Sequence, residues 1–254
     1  ISHWTVLSGF ILLLTGVFIM LKTEVLAVEI SRAFRDALGR DPSLANTLDL
    51  NWLGFSYVAF RLIHTMRDRQ MGRLPDLTLR EYVTYVVFFP AYIAGPIDRA
   101  ERFVKDLRAL PEMAGLDAAR FNEGMARIMI GVFKKFVIAD SLAQGMALNA
   151  INAEQANSPF GLWLLLYGYA LRLFFDFSGY SDIAIGIGIL FGVRMPENFA
   201  APYLKTNITA FWQSWHITLS NWARFYVFTP FSRVLMTRKR RPPTWMIILS
   251  AQAT

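Results

Sequence analysis

Only 18% of the 254 residues are charged, against 54% hydrophobic and 15% aromatic, and the mean hydropathy is +0.35. A soluble domain carries about 25% charged residues, so the composition points to lipid as part of the solvent and to an integral membrane protein. The absence of cysteine excludes disulfides and thiolate metal sites. The net charge of +7 sits in short clusters between apolar runs, such as Arg99, Arg102, Lys105 and Arg108 and then 238–241. That is the pattern of loops on one side of a membrane, not the basic stripe of a nucleic-acid binder.

Trp4 to Leu21 is a charge-free run of 18 residues with no basic flank before it and no small-residue cleavage site, and it reads as a spanning helix. Lys22 to Asn51 is polar. Within it VEISRAFRDALG has the pattern of an amphipathic helix ended by Gly39 and lying on the membrane surface, and Asp41-Pro42-Ser43 offers a turn. Trp52 to Met66 is apolar except for Arg61 and His64, which are three apart and share a helix face. That face reads as packed or interfacial, with a functional histidine as the alternative. Tyr82 to Ile97 is uncharged but interrupted by Pro90 and Pro96, so it predicts a broken or re-entrant segment beside a cavity, with a helix that simply ends at Pro90 as the alternative.

Phe121 to Leu148 carries Lys134 and Lys135 in mid-run, which predicts a segment that meets the membrane surface or bends along it. Pro159 to Phe175 is the next spanning candidate, and Arg172 and Asp176 at its end have the spacing of an ion pair. The glycine after Ser178 allows a turn, and Ile183 to Val193 is too short to span alone. Its Gly186, Gly188 and Gly192 permit close helix packing. Phe211, Trp212, Trp215, His216, Leu219 and Trp222 have helical spacing and predict one aromatic stripe. His216 belongs to that stripe, either as a neutral proton acceptor or as a histidine satisfied by a backbone carbonyl. Asp176 and Asp182 are six apart and read as caps or counter-ions to arginine, with a paired-carboxylate mechanism weakly signalled. Ser178 and Ser181 lack a nucleophile elbow, Gly186 to Gly188 lacks the ending of a phosphate loop, and histidines at 3, 64 and 216 have no metal-ligand spacing. No metal site is expected. There is no internal repeat, so residues 1–254 read as one membrane-embedded domain.

Four strings in this order, FFPAYIAGPIDRAERF, GVFKKFVIADSLA, FFDFSGYSDIAIGIGILFGVRMPENFAAPY and NITAFWQSWHITLSNWARFYVFTP, resemble the membrane-bound O-acyltransferase family. They are similar to its bacterial branch, which modifies alginate and teichoic acid. The resemblance implies an all-α, polytopic integral membrane protein, a multi-helix bundle with broken or re-entrant helices around a tunnel, in the bacterial inner membrane. It implies transfer of an acyl group, acetyl first among them, from a thioester donor such as acetyl-coenzyme A or an acyl carrier. The acceptor would be a hydroxyl of a cell-surface polysaccharide or lipid-linked glycan. No bound cofactor is implied; the partners are membrane lipid, donor, acceptor and a periplasmic or extracellular acyltransferase protein. His216 falls on the family's first histidine, and the second is expected beyond Thr254. The start at Ile1 and the stop inside the apolar run 244–254 thus read as truncation, which would leave the fragment inactive. Candidate substrate-binding or tunnel-lining residues are Trp212, Trp215, Asp176, Ser178, Tyr180, Asp182, Asn198 and Arg224. Two departures, Phe225 after Arg224 where relatives carry Asp and Phe231-Ser232-Arg233 where many carry Leu-Gly-Gly, put the acceptor in doubt. The rival readings are a transporter or channel, which would show an inverted repeat, and a non-catalytic scaffold of a polysaccharide assembly complex.

Overall fold

The computed structural model describes residues 3–46, 53–112, 117–156, 158–230 and 232–233, and every regular element among them is helical. Phe231, the basic cluster 238–241 and the run 244–254 lie outside the described residues. The chain divides into two compact units, one of residues 1–93 and 99–101, the other of residues 94–98 and 102–254.

The first unit holds α1 (His3–Lys22), α2 (Glu24–Ala37), α3 (Phe55–Gln70) and α4 (Leu79–Val86). The 20 residues of α1 extend over about 30 Å, enough to cross a bilayer core, and the helix is long and apolar enough to span. It packs on α3 through Phe18 and Phe60, whose ring centroids lie 5.9 Å apart, and through a 3.0 Å hydrogen bond from Gln70 to Ser8. The amphipathic α2 ends as its sequence predicts, with Gly39 at φ +67° and Asp41 capping the Ser43 amide.

Arg61 and His64 do share a buried face of α3, 2% and 1% exposed. Arg61 donates to the carbonyls of Tyr85 at 3.1 Å, Val86 at 2.9 Å and Ala91 at 2.7 Å. Those are the acceptors left over where α4 stops and Pro90 forces a single turn of tighter helix, Phe89–Ala91. His64 Nε2 meets the Tyr85 hydroxyl at 2.8 Å. The helix therefore ends before Pro90, and the histidine packs beneath that end.

The second unit holds α5 (Ala100–Ala109, which begins in the first), α6 (Ala118–Val132), α7 (Asp140–Gly145), α8 (Ala150–Gln155), α9 (Pro159–Leu190), α10 (Ile208–Ser214) and α11 (Ile217–Ala223). A π-helical turn, Phe133–Ala139, joins α6 to α7, and another, Arg224–Phe228, follows α11. Ser158 caps α9 and Pro159 starts it, after which it runs for 32 residues. Here the structure corrects the sequence reading: there is no turn at Gly179, and residues 183–190 continue the same helix. Ser178 and Gly179 are small residues at a helix contact, where helical hydrogen bonding is kept.

That contact is with α6. Gly124 faces Gly186 and Gly131 faces Gly179, two glycine pairs spaced seven residues apart on both helices. A Cβ on Gly179 would lie 2.7 Å from the Gly131 carbonyl oxygen, and one on Gly131 would lie 2.6 Å from the Gly179 oxygen. The obstacle on each side is backbone, which cannot swing away. Gly179→Ala is expected to lower the melting temperature of the detergent-solubilised protein, by the equivalent of about 1–3 kcal/mol of overpacking. Gly9→Ala on α1, where a Cβ meets nothing within 4 Å, is expected to leave it unchanged. Equal melting of the two variants would refute a backbone-to-backbone contact.

Candidate active site

The α6–α9 contact brings ionisable groups of the two helices together. Arg127, Gly131 and Lys134 follow the i, i+4, i+7 pattern of one helix face, so the face that approaches α9 also carries its cations. Asp182 on α9 accepts from Arg127 Nε at 2.6 Å and from Lys134 Nζ at 2.6 Å, and its side chain is 8% exposed. Arg127 also reaches Glu197, while Lys135 pairs with Asp176. The wide π-helical turn lets two consecutive lysines, Lys134 and Lys135, both face α9, where carboxylates meet them. One expectation is corrected. Asp176 takes Lys135 as its partner in place of Arg172, and no ion pair joins Arg172 to Asp176 among the described residues.

A cavity of about 250 Å³ opens beside this cluster. Its polar lining comes from Arg127, Lys134, Ser178, Ser181, Asp182, Glu197 and Asn198, and its apolar lining from Phe174, Phe199 and Ala201. Ser178 is 3% exposed, and its Oγ is buried with no hydrogen-bond partner. Residues 88–97 do not line this cavity, so the expected place of the broken segment at a cavity wall is not met here.

Asn198 links the cavity to His216. It is fully buried, donates Nδ2 to Ser181 Oγ at 3.0 Å and accepts Thr218 Oγ1 at its Oδ1 at 2.6 Å. Its backbone carbonyl accepts the Ile217 amide at 2.9 Å, and the Ala200 amide reaches the Ser214 carbonyl at 3.0 Å. Thr218 Oγ1 in turn accepts the Ile97 amide at 3.0 Å. These bonds grip the residues on either side of His216.

The aromatic stripe predicted over 211–222 is not one helix. Trp215 is extended, with ψ 127°, and His216 is left-handed, with φ 44° and ψ 52°, so α10 and α11 are separate seven-residue helices. A helical continuation would compete with the Ala200 and Ile217 bonds, and the tertiary bonds prevail. His216 and Ala201, with φ 49°, are the non-glycine residues at positive φ among the described residues, and they bracket this connection. Phe174, Phe199, Tyr203, Phe211 and Trp215 form a ring cluster with centroid spacings of 5.2 to 6.2 Å. Phe177 sits edge-on against His216 at 4.6 Å. His216 Nε2 is buried without a hydrogen-bond partner, and burial lowers the imidazole pKa from 6.5 to about 4. The ring is therefore neutral at pH 7 and keeps one polar atom free for an incoming group.

The remaining sequence candidates divide. Ser178, Asp182 and Asn198 line the cavity, and Trp215 packs in the ring cluster behind Phe199. Tyr180 hydrogen-bonds the Ala94 backbone instead of facing the cavity lining. Asp176 is half exposed beside Lys135, Trp212 is 58% exposed, and Arg224 is exposed in the π-helical turn after α11. Sequence reasoning missed Arg127, Lys134, Phe174, Phe199 and Thr218 as parts of the site. The helical spacing of Arg127, Gly131 and Lys134 was the available signal.

With this geometry in view, comparison with known proteins is specific. The family model for membrane-bound O-acyltransferases matches residues 3–249. The chain belongs to that family. It is 37% identical over 195 residues to teichoic acid D-alanyltransferase of Bacillus subtilis, covering 75% of this chain and 48% of the relative. It is 36% identical over 229 residues to a probable alginate O-acetylase of Pseudomonas putida, covering 89% and 45%. A peptidoglycan O-acetyltransferase of Helicobacter pylori is 38% identical over 150 residues, covering 59% and 28%. The chain thus spans about half the length, or less, of these relatives. The helical architecture and, among the described residues, two helices long and apolar enough to cross a membrane, α1 and α9, agree with membership of a membrane-bound family.

Two outcomes test the site as built. Asn198→Ala strands the buried Ser181 and Thr218 hydroxyls and is expected to cost about 1–3 kcal/mol, seen as a lower melting temperature. Wild-type melting in Asn198→Ala would refute its role as a link. For His216, the unfolded imidazole binds a proton near pH 6.5 and the folded one only near pH 4. Its contribution to stability is therefore present above pH 6.5 and is lost as pH falls towards 4. The melting temperature of wild type should fall more steeply over that window than that of His216→Ala; parallel profiles would show that the imidazole is not held neutral.

Proposed function

We propose that this chain is the membrane-embedded part of an acyltransferase that moves an acyl group, acetyl first among the candidates, from a thioester to a hydroxyl of a cell-surface glycan. His216 is the residue that meets the reacting groups. The supporting observation is the coincidence at His216 of a neutral imidazole, a buried and unpartnered Nε2 and a left-handed backbone. The relatives' names add alginate, teichoic acid and peptidoglycan as acceptors and acetyl or D-alanyl as the group moved, each said of those proteins.

In this reading the acceptor oxygen attacks the thioester carbonyl carbon, the carbon–sulfur bond breaks, and the sulfur leaves as a thiolate that takes up a proton. The acceptor's proton must leave as its oxygen bonds to carbon. A neutral imidazole nitrogen can orient that hydroxyl by accepting its hydrogen bond or, in the other tautomer, polarise the carbonyl by donating one. Donors of the acetyl-coenzyme A or acyl-carrier type, a multi-pass placement in the bacterial inner membrane, a tunnel for donor and acceptor, and a partner acyltransferase at the outer face belong to the same proposal.

The experiment is transfer of radiolabelled acetyl from acetyl-coenzyme A to extracellular glycan by bacterial membranes carrying the full-length protein that contains this chain. His216→Ala is expected to lower the rate by about 10²–10⁴-fold, the scale of a lost proton-handling group. A parental rate would remove His216 from the reaction, and absence of transfer by the wild type with acetyl and D-alanyl donors alike would favour a transporter or a scaffold. The wild-type rate should show no His216-linked transition near pH 6.5, because this imidazole stays neutral until about pH 4.

A further inference from the structure

The cavity lined by α6, α9 and residues 197–201 is not used by the proposed step at His216, and its inner wall is buried and polar. Its inner wall carries Asp182, buried and held by two cations, and Asn198, fully buried. Ser178 is the decisive residue. Its Oγ is buried, lines the cavity and has no hydrogen-bond partner. A serine inside a helix ordinarily satisfies its hydroxyl by donating to a carbonyl one turn back. Thr65 and Ser214 in this chain do so, to Arg61 at 2.8 Å and to Ala210 at 2.8 Å. Ser178 does not, although it costs free energy to leave a buried hydroxyl unpaired.

The charges lining the cavity narrow the ligand. Arg127 and Lys134 are matched by Asp182 and Glu197, so the four groups sum to zero. Such a wall has little to offer a phosphoryl group, which is held by unneutralised cations or bare backbone amides. It does offer alternating donors and acceptors, which suit hydroxyl groups that both give and take a hydrogen bond. Phe174 and Phe199 supply an apolar surface beside them. A polar wall facing an aromatic one, in about 250 Å³, is suited to one ring of a polyhydroxylated ligand, with C–H groups against the phenyl rings and hydroxyls towards Ser178, Asp182 and Asn198.

We infer that this cavity binds a hydroxylated repeat unit of the acceptor glycan, and that Asn198 couples its occupancy to the turn bearing His216. The inference rests on the proposed acyl transfer for what the ligand is, but its occupancy can be measured without turnover. Asn198 lines the cavity and its carbonyl accepts the Ile217 amide, so a ligand in the cavity and the residue after His216 share one anchor.

The chain has no cysteine, so Ser178→Cys introduces the only thiol in this sequence at nearly unchanged size. Purified protein in detergent is exposed to a small methanethiosulfonate reagent, alone and with one of three probes: a short uronate oligosaccharide, a short N-acetylhexosamine oligosaccharide, or a thioether analogue of acetyl-coenzyme A. Slowing of the labelling at least fivefold by either hydroxylated oligomer, and not by the thioether, supports the inference, and the more effective oligomer identifies the polymer type. Protection by the thioether alone would make the cavity a donor site and overturn it. Labelling that no probe slows, or no labelling at all, would also overturn it. In membranes active in acyl transfer, Ser178→Ala is expected to raise the KM for the acceptor about fivefold, the worth of one hydrogen bond near 1 kcal/mol, with the donor KM unchanged. Inactive wild-type membranes alongside a protected Ser178→Cys protein would sink the proposed reaction and leave the binding site standing.

Discussion

A carboxylate on a long apolar helix is tolerated only where its charge is met at once, and Asp182 meets that condition with Arg127 and Lys134. Much of the second unit follows from satisfying it. The cations lie on α6, so α6 must approach α9 closely, and the glycine pairs 131–179 and 124–186 permit the approach. Lys134 and Lys135 must both face α9, and the π-helical turn at 133–139 allows it. Arg127 then has a second arm for Glu197, which precedes Asn198, and Asn198 holds the turn at His216. One desolvated charge is thus connected through a series of short contacts to the residue proposed to act. Removing one partner would leave the other charges uncompensated, which costs far more than the pair itself contributes.

The first unit solves a related problem with the opposite sign. There the buried ion is a cation, Arg61, and its counterpart is a set of backbone carbonyls freed at the end of α4 and around Pro90. Pro90 creates acceptors with no helical donor, and the guanidinium's fork of donors supplies it. Neighbouring His64 is closed off by the Tyr85 hydroxyl. The chain's two described buried histidines therefore differ in one respect that matters. His64 has its Nε2 engaged by a fixed phenol, whereas the Nε2 of His216 faces no partner.

How much of this was legible in the sequence depends on the range of the interaction that decides each feature. The helical class, the long charge-free α1, the stop at Gly39 and the break at Pro90 are local consequences of composition, glycine and proline, and they were readable. The single course of α9 was not, because Gly179 signals a turn locally and becomes a helix contact only when Gly131 is opposite it. The partners of Lys134 and Lys135 were illegible for the same reason: their carboxylates are 48 and 41 residues away. The stripe from Phe211 to Trp222 has faultless helical spacing, yet two backbone bonds to residues 198 and 200 divide it. Pattern placed His216 among aromatics correctly but on the wrong kind of backbone.

That backbone carries the strongest argument for His216. A left-handed conformation costs a side-chain-bearing residue about 1–2 kcal/mol, and glycine at that position would avoid the cost. A buried imidazole nitrogen without a partner adds a further penalty of similar size. In a purely structural role either cost is easily avoided: a glycine would relax the turn, or a polar group would engage the ring, as the Tyr85 hydroxyl engages His64. Both costs meet at one residue, in a turn held on both sides by bonds to residues 198 and 200. Of the two, the unpaired nitrogen is the one that an incoming hydroxyl or carbonyl oxygen can relieve. The strain of the turn remains as the condition that keeps Nε2 free until that group arrives.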